Sequence, residues 1–229
     1  MVKRLLIHVR NLNHSICWIY FNYRKFQRHL ETKGFYSIEF YKIWLWKESA
    51  KYFKVYNVKG DCFFIKLKSK ESVSYESKVL NYISGRRSNI GSFYPKVIEM
   101  NISEFNYLIY ENVYGDQISK NSLNLNSLIQ IKEILAFFKR NGIIHRDIRP
   151  HNIIVDDTKI ILLDFEHCVI DGENCSNDDN LNNDYRPKPG VWDDAYSFKK
   201  IIENYCPKSF HNDKVFLEIC NMVGKYEHA

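Results

Sequence analysis

The stretch Ile144-His145-Arg146-Asp147-Ile148-Arg149-Pro150-His151-Asn152 leads into Ile153-Ile154-Val155, Asp156-Asp157-Thr158-Lys159, Ile160-Ile161-Leu162-Leu163 and Asp164-Phe165-Glu166. Two short β-branched or apolar runs flank a segment with the composition of a hairpin turn, so they read as paired strands. Closing that hairpin brings Asn152, before the first strand, to the same open end as Asp164, after the second. An amide oxygen and a carboxylate meeting at a strand mouth are hard oxygen ligands suited to Mg²⁺, which completes its octahedron with water and phosphate. Asp147 precedes Asn152 by five residues, close enough to sit beside the metal without ligating it. Such a carboxylate can accept a proton from an attacking hydroxyl.

His145-Arg146-Asp147 with Asn152, followed by Asp164-Phe165, resembles the catalytic loop and metal-binding segment of the protein kinase-like superfamily in residue types, spacing and order. The resemblance implies an α+β, two-lobed protein kinase-like fold, with a β-rich N-lobe and a minimal helical C-lobe. By that likeness Asp147 orients or deprotonates the acceptor hydroxyl, and Arg149 stands where protein kinases have the catalytic-loop lysine. Asn152 and Asp164 would hold Mg²⁺, with ATP as phosphoryl donor. Glu166 departs from the usual glycine. Asp-Phe-Glu is closer in character to bacterial lipopolysaccharide and sugar kinases and to aminoglycoside-phosphotransferase-like enzymes.

Composition fits this reading without selecting it. The 229 residues, 45% hydrophobic and 15% aromatic, can bury a real core and are too apolar for disorder. A net charge of +6 favours anionic groups but does not by itself call for nucleic acid, and no nucleic-acid partner is expected. The six cysteines are scattered without a Cys-x-x-Cys, as expected for free thiols in the cytoplasm. The longest early apolar run, Ile16 to Phe21, is far short of the roughly 20 residues of a membrane span.

Residues 1–35 form a basic, aromatic N-terminal extension with Arg4, Arg10, Arg24, Lys25, Arg28 and Lys33 among Trp18, Tyr20, Phe21, Tyr23 and Phe26. Such a segment can lie on an anionic membrane surface, at the inner face of the cell membrane, or pack its aromatics on the domain as an ordinary helix. An N-lobe is expected over 36–113, with strands at Phe40–Trp46, Tyr52–Val58, Cys62–Lys68, Pro95–Met100 and Asn106–Tyr110. The turn Lys47-Glu48-Ser49-Ala50-Lys51 lacks the glycines that cover ATP phosphates in protein kinases, leaving Lys47, Lys51 or the backbone at Ser49 and Ala50 to substitute.

Lys66 sits in an otherwise apolar strand and Glu76 on the apolar stripe of Val73, Leu80 and Ile83. Each needs a partner, and each can be the other's. The resemblance then aims the Lys66 ammonium at the α and β phosphates. It also makes the Glu111 carbonyl and the Val113 N–H candidate contacts for adenine.

The C-lobe is expected over 114–229. Leu128, Ile131, Leu135 and Phe138 mark a buried helix stopped at Asn141-Gly142. His145 is expected to brace the catalytic loop. Asp171–Asn180 reads as an exposed loop, where Ser176 could also be a phosphorylation site answering Arg146. Ala-Pro-Glu is missing. By the kinase likeness, Asp194 would hydrogen-bond the backbone at His145 and Arg146.

The leading expectation is an ATP-dependent phosphotransferase acting on a hydroxyl of a sugar or glycolipid, in a lipopolysaccharide or other cell-surface glycan. The alternatives are a Ser/Thr protein kinase acting on a protein substrate and a nucleotide-binding pseudokinase.

Overall fold

The computed structural model describes residues 2–87, 91–156, 158–173 and 181–224. The fold is α+β and kinase-like, and it divides into two compact units. The first comprises Met1–Ser77 and Lys96–Asn112; the second, Lys78–Pro95 and Val113–Ala229.

The first unit contains α1 (Val2–Glu31), β1 (Phe35–Phe40), β2 (Lys51–Asn57), β3 (Cys62–Leu67), the first half of α2 (Lys70–Ser84), β4 (Val97–Ile102) and β5 (Asn106–Glu111). The strands form one sheet in the order β1-β2-β3-β5-β4, with every neighbouring pair antiparallel. Strand side chains alternate between faces. Phe53, Val55, Ile65, Tyr107 and Ile109 share one face, which α1 covers with Phe26 and Leu30, and all seven are fully buried. Phe26 lies 5.3 Å from Phe53 and 5.0 Å from Phe105, centroid to centroid. At roughly 1.5–3 kcal/mol per buried large side chain, these contacts fix the C-terminal half of α1 on the sheet. One face of the basic aromatic segment is therefore an ordinary core-forming helix.

The expected strand Phe40–Trp46 is corrected. Strand β1 ends at Phe40, and a 3-10 turn occupies Ile43–Leu45 after Lys42, whose φ is 41°. Burial of Trp46 drives the departure. Its indole is 1% exposed, packs 4.8 Å from Phe53, and donates to the carbonyls of Tyr41 (3.1 Å) and Tyr52 (3.2 Å). An extended backbone would turn alternate residues to opposite faces, whereas a turn delivers Trp46 to the core.

The second unit contains the rest of α2, β6 (Asp116–Gln117), α3 (Leu125–Arg140), β7 (Ile143–Ile144), β8 (Ile153–Val155), β9 (Ile160–Leu162), β10 (Val169–Ile170), α4 (Asp194–Tyr205) and α5 (Lys214–Met222). A capping box between Asn124 and Ser127 starts α3, and Gly142 at φ +62° follows its end. Leu128, Ile131, Leu135 and Phe138 are all buried. Small antiparallel sheets, β6-β8-β9 and β7-β10, frame the loop that α3 delivers. No helix among the described residues is long and apolar enough to cross a membrane.

Gly115 permits the approach of the chain to β8. Its φ is +120°, and a Cβ there would stand 2.7 Å from the Val155 carbonyl oxygen and 2.9 Å from Ile154 Cγ2. Gly115→Ala is expected to cost about 1–3 kcal/mol, read as a lowered urea midpoint at unchanged m-value.

Candidate active site

The hairpin Ile153–Leu162 forms with Ile153 opposite Leu162 and Val155 opposite Ile160. Beyond its open end the Leu163 N–H donates to the Asn152 carbonyl at 2.8 Å, which brings Asn152 and the start of Asp164-Phe165-Glu166 alongside each other. Phe165 is fully buried, 4.7 Å from the His145 ring and 6.3 Å from Tyr94. This packing anchors the residue after Asp164. Asp164 itself takes a left-handed conformation at φ 65°.

Arg146, in the other half of the site, is also left-handed at φ 69°. A non-glycine residue there costs of order 1–3 kcal/mol and persists only when its surroundings hold it. Asp194 does so: Oδ2 accepts from the His145 N–H at 2.6 Å and Oδ1 from the Arg146 N–H at 3.1 Å. The His145 ring is fully buried and its Nε2 lies 3.1 Å from the Leu163 carbonyl, tying the loop to the end of β9. Burial pulls its pKa down to about 4, so His145 is neutral and structural near pH 7.

Asp147 is fully buried. Its Oδ2 accepts from Asn152 Nδ2 at 2.7 Å and pairs with Arg149 Nη2 at 3.0 Å. Its Oδ1 is buried and accepts no hydrogen bond from any described residue. Burial raises the Asp147 pKa to about 6, against the opposing pull of Arg149. The Asn152 amide nitrogen is committed to Asp147, to the backbone carbonyl at 3.0 Å as well as to Oδ2. That orientation leaves the amide oxygen as the atom able to serve a cation. The set is therefore one carboxylate with a bare oxygen, one amide oxygen and the Asp164 carboxylate, a donor set that suits Mg²⁺.

In the first unit, Lys66 Nζ donates to Glu76 Oε2 at 2.7 Å, with both side chains buried. Glu111 ends β5, where its N–H donates to the Lys96 carbonyl, and Val113 follows the strand. Lys51 is buried, donates to the Glu48 carbonyl at 3.1 Å and lies 5.7 Å from the Trp18 ring, so it braces its own turn.

Sequence reasoning missed Trp192, whose ring carries the guanidinium carbons of Arg146 at 4.5 Å and Arg186 at 4.9 Å. It also missed Asn182, which donates to the Ile148 carbonyl at 3.2 Å and ties a distant loop to the His145–Asn152 loop. Neither has a fixed spacing from the motif that would reveal it. Ser176, the possible phosphorylation site, lies outside the described residues.

Burial pushes the Asp194 carboxyl up to about 7, against the two N–H bonds that favour its charge. The folded chain thus takes up this proton near pH 7, whereas an unfolded aspartate waits until about pH 4. Stability should rise as pH falls from about 7 towards 4, and Asp194→Asn should remove this contribution to the slope. Urea midpoints for both proteins at pH 5, 6, 7 and 8 check the sign.

No protein-family profile matches the sequence. The chain is 34% identical over 103 residues to a probable serine/threonine-protein kinase of Clostridium acetobutylicum, covering 41% of this chain and 14% of that protein. It is 33% identical over 113 residues to calcium/calmodulin-dependent protein kinase type 1 of Caenorhabditis briggsae, covering 43% and 30%, respectively. The same protein from Caenorhabditis elegans gives 33% over 113 residues, covering 43% and 31%. The chain thus spans less than a third of the length of each of these relatives, and its similarity is to protein kinases.

Proposed function

We propose that the chain is an ATP-dependent phosphotransferase that moves the γ-phosphoryl group to a hydroxyl. The observation that carries this reading is the buried Asp147, whose Oδ2 is held by Asn152 and Arg149 while Oδ1 is left bare. A carboxylate built in this way is positioned to take a proton from an acceptor hydroxyl. Arg149, half-exposed beside it, orients Asp147 and offers positive charge to the transferred group. The Asn152 amide oxygen and the Asp164 carboxylate would hold Mg²⁺, which when bound neutralises and orients the phosphate oxygens. Lys66, fixed by Glu76, would contribute its ammonium to the α and β phosphates. Glu111 and Val113 would offer backbone groups to adenine.

For the acceptor, Glu166 in place of glycine and the missing Ala-Pro-Glu favour a sugar hydroxyl of a lipopolysaccharide or other cell-surface glycan, handled on the cytoplasmic side. A protein serine or threonine is the second reading, favoured by the similarity to protein kinases. Both readings use the same base and metal ligands. Incubation of the full chain with Mg²⁺ and γ-labelled ATP in lysate plus membranes, followed by separation of glycan from protein, distinguishes them. Label in glycan, absent with Asp164→Ala, is the expected result. Label in protein other than the enzyme itself would move the assignment to a protein kinase. Absence of Asp164-dependent label from every fraction, together with absence of nucleotide binding, would overturn phosphotransfer.

A further inference from the structure

The apolar surface of helix α1 extends beyond what the sheet covers: Phe26 and Leu30 pack on the sheet, and further apolar residues towards the N-terminus stay exposed. Val9, Leu12, Ile16 and Tyr20 are 51%, 54%, 55% and 81% exposed. Their spacing of three, four and four places them on one stripe, within an arc of about 80° at about 100° per residue. Phe21, 67% exposed, packs edge-on against Tyr20 with centroids 4.9 Å apart. An exposed aliphatic stripe ending in two aromatic rings is costly in water and is the pattern of an interfacial helix.

Charge identifies the occupant. Over Val2–Glu31 the basic residues are Lys3, Arg4, Arg10, Arg24, Lys25 and Arg28, opposed by Glu31 alone. The helix therefore holds +5 of the chain's net +6. Arg24, Lys25 and Arg28 are exposed. Arg10 pairs with Glu48 at 3.2 Å with both side chains largely exposed, a contact worth little against an anionic surface. We propose that α1 is a membrane-docking element, inserting the Val9, Leu12, Ile16 and Tyr20 stripe among the acyl chains of a bilayer rich in anionic phospholipid while Arg24 and Arg28, on the flank of that stripe, meet the headgroups. A nucleic acid would match the charge but would find no use for the aliphatic stripe. A second copy would match the stripe but would oppose one +5 helix with another.

The test needs no nucleotide and is independent of the phosphotransferase reading. The full chain is floated with phosphatidylcholine vesicles and with vesicles containing roughly 30% phosphatidylglycerol, an anionic lipid that raises the pull on basic side chains. Binding to the anionic vesicles alone, weakening with salt, is expected. Arg24→Gln with Arg28→Gln should lower partitioning about thirtyfold, from about fivefold per basic side chain near an anionic surface. Leu12→Gln with Ile16→Gln should release the protein while leaving the circular dichroism spectrum and urea midpoint unchanged, since both positions are exposed. Equal binding to both vesicle types, no binding to either, or variants that bind like the parent would overturn the proposal. So would a concentration-dependent dimer abolished by Ile16→Gln, which would assign the stripe to self-association.

Discussion

Asp147→Asn is expected to lower phosphoryl transfer about 10²–10⁴-fold while leaving MgATP affinity within about twofold. The substitution keeps the side-chain shape and an oxygen for Asn152 Nδ2, which now bonds Asp147 Oδ2 at 2.7 Å. It removes the carboxylate oxygen that would take the hydroxyl proton. Stability should move the other way from activity. Burial raises the Asp147 pKa to about 6, so its ionised form costs folding free energy above that pH. At pH 8 the variant should be at least as stable as the parent, despite losing the Arg149 pair. Steady-state rates with thermal melts on the same samples test both statements. A variant that turns over like the parent would remove Asp147 from the role of base.

Glu76→Leu is expected to destabilise the fold, by up to about 3–5 kcal/mol, because it removes the carboxylate that meets the buried Lys66 ammonium at 2.7 Å. The two side chains are 8% and 3% exposed and meet at 2.7 Å. Lys66→Met combined with Glu76→Leu should recover most of that loss, since a buried ion pair replaced by apolar side chains of similar volume is often neutral or stabilising. Activity should not return in the double variant, which lacks the ammonium proposed to meet the phosphates. Urea midpoints and rates across the four-protein cycle separate the effects. A double variant as unstable as Glu76→Leu would show that the pair contributes more than mutual neutralisation.

The site was legible where local pattern and chemistry agreed. Two apolar runs around a turn specify the β8–β9 hairpin, and a hairpin necessarily brings its flanking residues together, so Asn152 and the start of the Asp164 segment converge as expected. Lys66 and Glu76 were found as two costly charges with one mutual remedy. Asp194 came from the motif likeness and lies at hydrogen-bond distance from His145 and Arg146. The β1–β2 connection was not legible, because Trp46 and its neighbours are good strand formers by composition, and the need to bury one indole against Phe53 overrides that preference. The stack of Arg146 on Trp192 spans 46 residues and follows from tertiary placement alone. Helix α1 supported two readings because it differs along its length: Phe26 and Leu30 pack on the sheet, while Val9, Leu12 and Ile16, nearer the N-terminus, do not.

The most direct measurement is calorimetric titration of ATP into the full chain, with Mg²⁺ and with excess EDTA, alongside Asn152→Ala and Asp164→Ala. If Asn152 and Asp164 hold the ion that orients the phosphates, the parent binds with Mg²⁺ and loses at least about tenfold in affinity under EDTA and in each variant. Parent binding that is indifferent to Mg²⁺ and to both substitutions, or absent altogether, would contradict a metal-assisted phosphotransferase site.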